Sequence, residues 1–374
     1  MKYFLSILTI CLSLNLIAQE RHRFEIGTQT GYEHNYFKSP DRVLVNDTLL
    51  SAEDLISSSA YLDVSMDYDY RYKWKGHRIR FSITPFARLF QENMSDSYWS
   101  VEARAKYDYK LSEKTKLLGE LNFKRMNREG LDGAQDVLVN PLGYTNYGAV
   151  AGLSLEPIKQ NKTTVEGFYN FKNFDAYGIR DLQFNEFGVQ LGSKQKFRPG
   201  RYEHAVGFVA YYKKRLYDTF NAEDDPQLGR RDWDYAKLTA FYELPLTATL
   251  EIEPQLTLYS RIDRLENRSG FNQYGPGMRL RFDNDKTKIS AMLKYLVRDY
   301  TNIQAPSSSD PIGLLKYQYF DFSVNFEHQL PIKGLLFTGT VYNRFRETNT
   351  TNLASRSFRG YRNYYGGVGL TWKM

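Results

Sequence analysis

The sequence predicts an all-β chain, a transmembrane antiparallel up-and-down barrel of about sixteen strands. Three observations predict it. Apolar residues recur with a period of two from end to end. The links between such segments are alternately short and long. No run beyond the N-terminus reaches the roughly 20 apolar residues that a spanning helix requires. Composition agrees: of 374 residues 16% are aromatic, with 30 Tyr and 24 Phe, and 25% are charged. That many rings exclude a disordered chain, and rings mixed with charges suit strands that are apolar on one face only.

The N-terminus reads as an address. Met1-Lys2 gives a basic start, Tyr3 to Ile17 is an apolar run, and Ala18 supplies a small residue before Gln19-Glu20. Residues 1–18 are expected to be a cleaved secretory signal, and 19–374 a single barrel domain. The sole cysteine, Cys11, lies inside that signal, so disulfides and thiol chemistry are excluded from the mature chain.

The strands follow in order. Leu62, Val64, Met66, Tyr68, Tyr70 and Tyr72 alternate with Asp63, Ser65, Asp67, Asp69 and Arg71. Ile79, Phe81, Ile83, Pro85, Ala87 and Leu89 are interleaved with Arg78, Arg80, Ser82, Thr84 and Arg88. Trp99 to Tyr109, Leu250 to Ile262 and Ile289 to Val297 repeat the pattern. Two segments are less clean: Arg201 to Tyr217 has apolar residues on both faces, and Asn185-Glu186 reads as a bulge. Most segments hold about 10 to 14 residues, enough to cross a bilayer at a steep tilt.

The links sort by parity. Lys73 to Gly76, Leu111 to Lys114, Ile158 to Asn161, Arg198 to Gly200, Pro245 to Thr247, Asp283 to Asp285 and Pro331 to Gly334 are short. Between them fall Phe37 to Ser58, Glu92 to Ser97, Asn127 to Gly143, Phe174 to Asp181, Asp218 to Arg231, Asp263 to Phe271, Thr301 to Leu315 and Thr348 to Gly360. Tight turns on one side and long loops on the other are what a membrane barrel requires. A soluble sandwich, propeller or solenoid need not sort its loops this way. Aromatic girdles are expected at both interfaces: Tyr70, Tyr72, Trp74, Tyr107, Tyr109 and Trp372 at the short-turn ends, and Tyr98, Trp99, Trp233, Tyr235, Tyr361 and Tyr364 at the long-loop ends. In the first long loop, Ser51 to Leu55 is expected to open a short helix capped by Ser51.

The last segment, Tyr364 to Met374, resembles the C-terminal assembly signal of outer-membrane barrels, through Gly367, Leu370 and Trp372. It departs from that signal at its last residue, where an aromatic is usual and Met374 stands. With the N-terminal signal and the strand count, the chain resembles porin-type barrels of Gram-negative outer membranes, and in style those of the Bacteroidota. The resemblance implies residence in the outer membrane, contact with its lipid and lipopolysaccharide, and recognition by the barrel-assembly machinery. A protein partner or homo-oligomer is compatible with it.

If the apolar face meets lipid, the charged face lines a lumen that sixteen strands leave too wide for wall side chains to fill. No plug domain is expected, because the first strand starts at Arg21. Acidic Asp63, Asp67 and Asp69 neighbour basic Arg78, Arg80 and Arg88; later, Asp321 and Glu327 precede Arg344 and Arg346. Cross-strand pairing of opposite charges is one reading, a transverse field that selects ions the other. In sixteen-stranded porins the third external loop folds inward. Here Asn127 to Gly143 holds that position, and the resemblance implies an eyelet of Glu129, Asp132 and Asp136 facing Arg78, Arg80, Arg88 and Arg104.

Catalysis and metals find little support. The histidines after the signal, His22, His34, His77, His204 and His328, include no pair at metal spacing. His34 or His204 beside a serine carries no further signal, so no enzyme, cofactor or metal is expected. The net charge of +7 is spread over the strands, which argues against nucleic acid. Two functions remain. One is a porin-like channel for small hydrophilic solutes or ions, favouring anions. The other is a closed or loop-plugged barrel serving a structural, secretion- or assembly-associated role. Inward Phe86, Tyr259, Tyr319 and Tyr342 weigh against an open lumen.

Overall fold

The computed structural model describes residues 21–134, 140–176, 182–219, 230–265, 269–307, 313–355 and 360–374; the expected signal sequence and Asp136 lie outside them. In chain order the strands are β1 (His22–His34), β2 (Val43–Val45), β3 (Thr48–Leu50), β4 (Ser59–Trp74), β5 (His77–Phe90), β6 (Tyr98–Lys110), β7 (Thr115–Asn127), β8 (Tyr144–Leu155) and β9 (Asn161–Phe174). There follow β10 (Leu182–Phe197), β11 (His204–Thr219), β12 (Arg231–Pro245), β13 (Leu250–Asp263), β14 (Phe271–Asp283), β15 (Thr287–Gln304), β16 (Leu314–Gln329), β17 (Leu335–Thr348) and β18 (Tyr361–Lys373). Sixteen of them close into one antiparallel barrel in which each strand pairs with its neighbours in sequence and β18 returns to β1. The hairpin β2–β3 stands apart in the first long loop, followed by α1 (Ala52–Leu55). Asp54 accepts the backbone N–H of Ser51 at 2.8 Å and its hydroxyl at 3.0 Å, so the expected helix start is present.

Strand faces follow the alternation. Leu62, Val64, Leu121, Val189, Leu256, Val341, Val368 and Leu370 are exposed outside, while Asp63, Asp69, Arg88, Glu186, Glu253 and Arg261 are buried inside. A continuous exposed apolar belt has no place on a soluble monomer; it is the surface a barrel shows to lipid. The Asn185-Glu186 bulge is not present. The pairs Asn185↔Leu216 and Glu186↔Arg215 continue an unbroken register, because Glu186 faces inward onto Arg215 and Lys213. The long-loop girdle is also corrected. Trp233, Tyr235 and Tyr361 are buried on the lumen parity, so they belong to the interior; Trp99 and Tyr364 stay outside and exposed.

Turn chemistry sets register. Between Trp74 and His77 the connection is only Lys75-Gly76, with φ of 37° and 89°, the positive pair that a two-residue hairpin turn of type I′ requires. It places Lys73 opposite Arg78 and Arg71 opposite Arg80.

Closure rests on the β1–β18 seam, ten residue pairs from Glu25↔Lys373 to His34↔Tyr364. It is rich in glycine, and at Gly31 an added Cβ would run into the Gly366 carbonyl and lie 2.7 Å from the Gly367 Cα. Gly31→Val is therefore predicted to open the seam, whereas Thr28→Val on the outer face is tolerated. The measurement is the fraction of refolded protein that migrates as a compact, heat-modifiable band, which the first variant loses.

Candidate functional site

Along most of the lumen wall, opposite charges pair across strands. Arg344 is bound by Asp321 at 2.8 Å. Arg215 and Lys213 share Glu186. Lys194, Arg279 and Arg281 surround Glu243, Glu251 and Glu253. The oxygens of those three carboxylates come within 4.8 Å of one another, yet each carboxylate already has a cationic partner, so the group is an ion-pair knot. Arg88 bonds Asp63 through two nitrogens at 2.7 Å and also Glu33, with its guanidinium 4.1 Å above the Tyr61 ring.

The external mouth is packed. Inward rings touch in an unbroken arc from Tyr144 through Phe174, Phe184, Tyr217, Trp233, Tyr235, Tyr259, Phe271 and Tyr300 to Tyr317 and Tyr319. Arginines lie over it: Arg215 is 4.3 Å from Phe184, Arg261 4.4 Å from Trp233 and Arg298 4.1 Å from Phe271. Such cation–π contacts let charge and ring be buried together. On the opposite wall, Tyr36 of the first loop stacks on Phe90 at 4.3 Å, and its hydroxyl bonds Asp96. Burial, reinforced by that carboxylate, pushes the Tyr36 phenol well above its ordinary pKa. Glu92 in the second loop accepts the Ser59 hydroxyl and the Ala60 N–H, which hold its carboxyl below the usual range.

The third loop folds inward over this end. The Gly133 N–H donates to the Phe37 carbonyl at 2.9 Å, and Arg346 on β17 donates to the carbonyls of Ala134 at 2.5 Å and Gly133 at 3.3 Å. A loop rooted between β7 and β8 thus reaches a strand six positions around the barrel. Arg128 lies 4.5 Å over Tyr98, and Asp132 pairs with Lys38 at 3.6 Å.

The residues named for an eyelet are not gathered into one ring. β5 runs from the short-turn end at His77 to the long-loop end at Phe90, so Arg78 and Arg88 are ten residues apart, about 33 Å along a strand. Arg88 lies at the mouth, held by Asp63 and Glu33. Arg104 sits further down, paired with Glu102. Arg78 and Arg80 line the opposite end. Asp132 meets Lys38 rather than these arginines, Glu129 is exposed, and Asp136 lies outside the described residues. The groups that do hold the third loop are Arg346, Lys38 and the Phe37 carbonyl, with the Tyr36 carbonyl and the Tyr98 ring receiving the loop's own Arg128. Of these only Arg346 was visible as a lumen charge, and the pair Tyr36-Phe37 directly after the first strand was the one local signal for the rest.

The Ser–His idea has partial geometry. His34 Nδ1 is 3.0 Å from the Ser58 hydroxyl, and its ring stacks on Tyr364. No carboxylate among the described residues hydrogen bonds that imidazole.

No protein-family model and no curated protein matches the chain. Among solved structures it is similar to a bacterial polysaccharide outer membrane secretin (9% identity, 96% of this chain and 99% of that one, TM-score 0.46). It is similar also to the outer membrane protein opdK from Pseudomonas aeruginosa (9%, 94% and 99%, 0.43). A third is the siderophore receptor PirA from Pseudomonas aeruginosa (9%, 95% and 80%, 0.42). At this identity and these scores the likeness carries no argument about solute or mechanism. The closed sheet and its apolar belt are those of an outer-membrane β-barrel.

Removing one member of a buried ion cluster strands its partners. Arg88→Met leaves Asp63 and Glu33 together without their cation, and is predicted to destabilise the barrel by about 3 kcal/mol. Urea unfolding in lipid vesicles measures this; an unchanged midpoint would mean that the two carboxylates find other partners.

Proposed function

We propose that this protein is an outer-membrane channel through which small hydrophilic solutes diffuse passively, with anions favoured. The observation that carries the proposal is the lumen wall: a sixteen-strand closed barrel with charged inward faces and a cavity of about 530 Å³ at the short-turn end bounded by Arg21, Arg71, Lys73, Arg78 and Arg80. Positive walls raise the local concentration of anions and lower their entry barrier. Short turns and both termini share the periplasmic side in such barrels, so this basic vestibule opens to the periplasm and the packed mouth to the outside. On this reading Arg78, Arg80, Arg88 and Arg104 are pore-lining, and the third loop with Glu129 and Asp132 narrows the outer mouth. The last strand, with Leu370 and Trp372 exposed on its outer face and Gly367 packed against Tyr61 and Gln29, would be the segment read by the barrel-assembly machinery.

A second reading, a closed barrel serving as a structural, secretion- or assembly-associated partner, is favoured by the third loop folded across the mouth onto Arg346. Arg346 is 2% exposed and Tyr61 0%, so water scarcely reaches the wall at the mouth. Single-channel recording separates the two. The channel reading predicts stable current steps whose reversal potential in a salt gradient lies on the anion side. Arg346→Ala, which releases the third loop, is predicted to enlarge the steps. A correctly inserted barrel that stays silent, with the variant silent too, would favour the closed reading.

A further inference from the structure

The short-turn end holds a charge arrangement that sheets avoid. Arg71 stands directly opposite Arg80, and Lys73 opposite Arg78. The row continues on both sides. The Arg71 N–H donates to the Arg21 carbonyl at 2.8 Å, and Arg80 stands opposite Lys106 on β6. Three cations, Arg71, Arg80 and Lys106, therefore lie abreast on the adjacent strands β4, β5 and β6, with Arg21 beside them just ahead of β1, its guanidinium 4.6 Å over the Tyr72 ring, and with Lys73 and Arg78 in the next row. Like charges directly opposed destabilise a sheet. Their neutralisation is incomplete. Asp69 binds Arg80 at 2.7 and 2.8 Å and Arg71 at 3.1 Å, and Glu120 binds Lys106 at 2.8 Å. Lys73 and Arg78 have no ion pair among the described residues, although Asp108 stands opposite Arg78 in register. All but Lys106 border the same cavity of about 530 Å³, and Arg71 and Arg80 remain about half exposed to it.

We propose that this ladder is a binding site for a phosphate-bearing polyvalent anion at the periplasmic end of the lumen. Asp69 holds two guanidinium forks in place from behind, and each retains further N–H donors. Arg78 and Lys73 supply unspent charge from the next row. Guanidinium groups match phosphate oxygens bidentately, and an ammonium adds a mobile point charge. An anion with two phosphate groups would bridge the rows and relieve the repulsion between them. The proposal does not require conduction, since a closed barrel keeps the same vestibule.

The test is calorimetric titration of the folded mature protein, in nonionic detergent at low salt, with inorganic pyrophosphate. Saturable binding that weakens with added salt is expected. The double variant Lys73→Gln/Arg78→Gln should bind at least about tenfold more weakly, while Lys333→Gln, on an exposed turn elsewhere at the same end, should bind as wild type does. Thermal midpoints guard against a folding artefact: without anion the double variant should melt higher, because repulsion is relieved, and pyrophosphate should raise the midpoint of wild type alone. Repeating the titration in phosphatidylcholine and phosphatidylglycerol nanodiscs identifies the source. Competition by the anionic lipid points to a headgroup, and its absence to a free solute. Absence of saturable binding, or equal binding by the double variant, would overturn the proposal and leave a solvated charged face.

Discussion

In hydrocarbon there is no water to pair with a bare N–H or C=O, and each one left open costs several kcal/mol. A sheet in a membrane must therefore have no edge, and in this chain that condition falls on the pairing of the first and last strands. Gly31 and Gly367 leave room for the Tyr61 hydroxyl, and Gly367 for the Gln29 amide, to lie against the seam. Once the ring is closed, each side chain has only two places to go. Outward positions meet lipid and become apolar; inward positions meet a wide lumen and carry the charges. The remaining features follow from that division.

The two ends of the lumen solve the problem of inward charge differently. At the outer mouth, Arg88 and Arg261 are buried, and Arg215 half-buried, against carboxylates, a carbonyl or aromatic faces, and loops fold over them. Arg346 works in both senses, stacked over Tyr317 and Tyr361 at 4.8 Å while holding the third loop by two carbonyls. At the turn end no long loop arrives among the described residues, and on β4 and β5 the half-exposed Arg71 and Arg80 share Asp69 while Lys73 and Arg78 have no ion pair among those residues. The contrast is sharpest on the wall of β4 and β5; elsewhere at the same end Lys194, Arg279 and Arg281 are each paired with Glu243, Glu251 or Glu253.

Alternation in segments such as Leu62 to Tyr72 made the strands and their faces legible, and sixteen of them close as expected. What escaped was register. Taking Lys73 to Gly76 as the turn leaves the faces unchanged, because a two-residue shift preserves parity, but it changes every partner. Only the positive φ of Lys75 and Gly76 puts Arg71 against Arg80. Position alone also misassigned Trp233, Tyr235 and Tyr361: their parity with Lys237 and Asn363 sends them into the lumen, where the arc of rings holds them. The third loop was legible as an inward-folding candidate by its place in the chain. Its contact with Arg346 was not, since nothing local links residues so far apart. The expected eyelet mixed Arg78 and Arg88, which a pattern along one strand cannot separate by height.

The central claim is that one face of each barrel strand lines the lumen and the other meets lipid. The only cysteine of the sequence, Cys11, precedes the barrel, which allows single thiols to report on this directly. Val64→Cys, Ser65→Cys, Met66→Cys and Asp67→Cys sample four consecutive positions of β4. In proteoliposomes, a charged, water-soluble maleimide should label positions 65 and 67 and spare 64 and 66. A lipid-borne quencher should reach probes at 64 and 66 only. Equal labelling at all four positions, or labelling at 64 and 66 alone, would contradict the account.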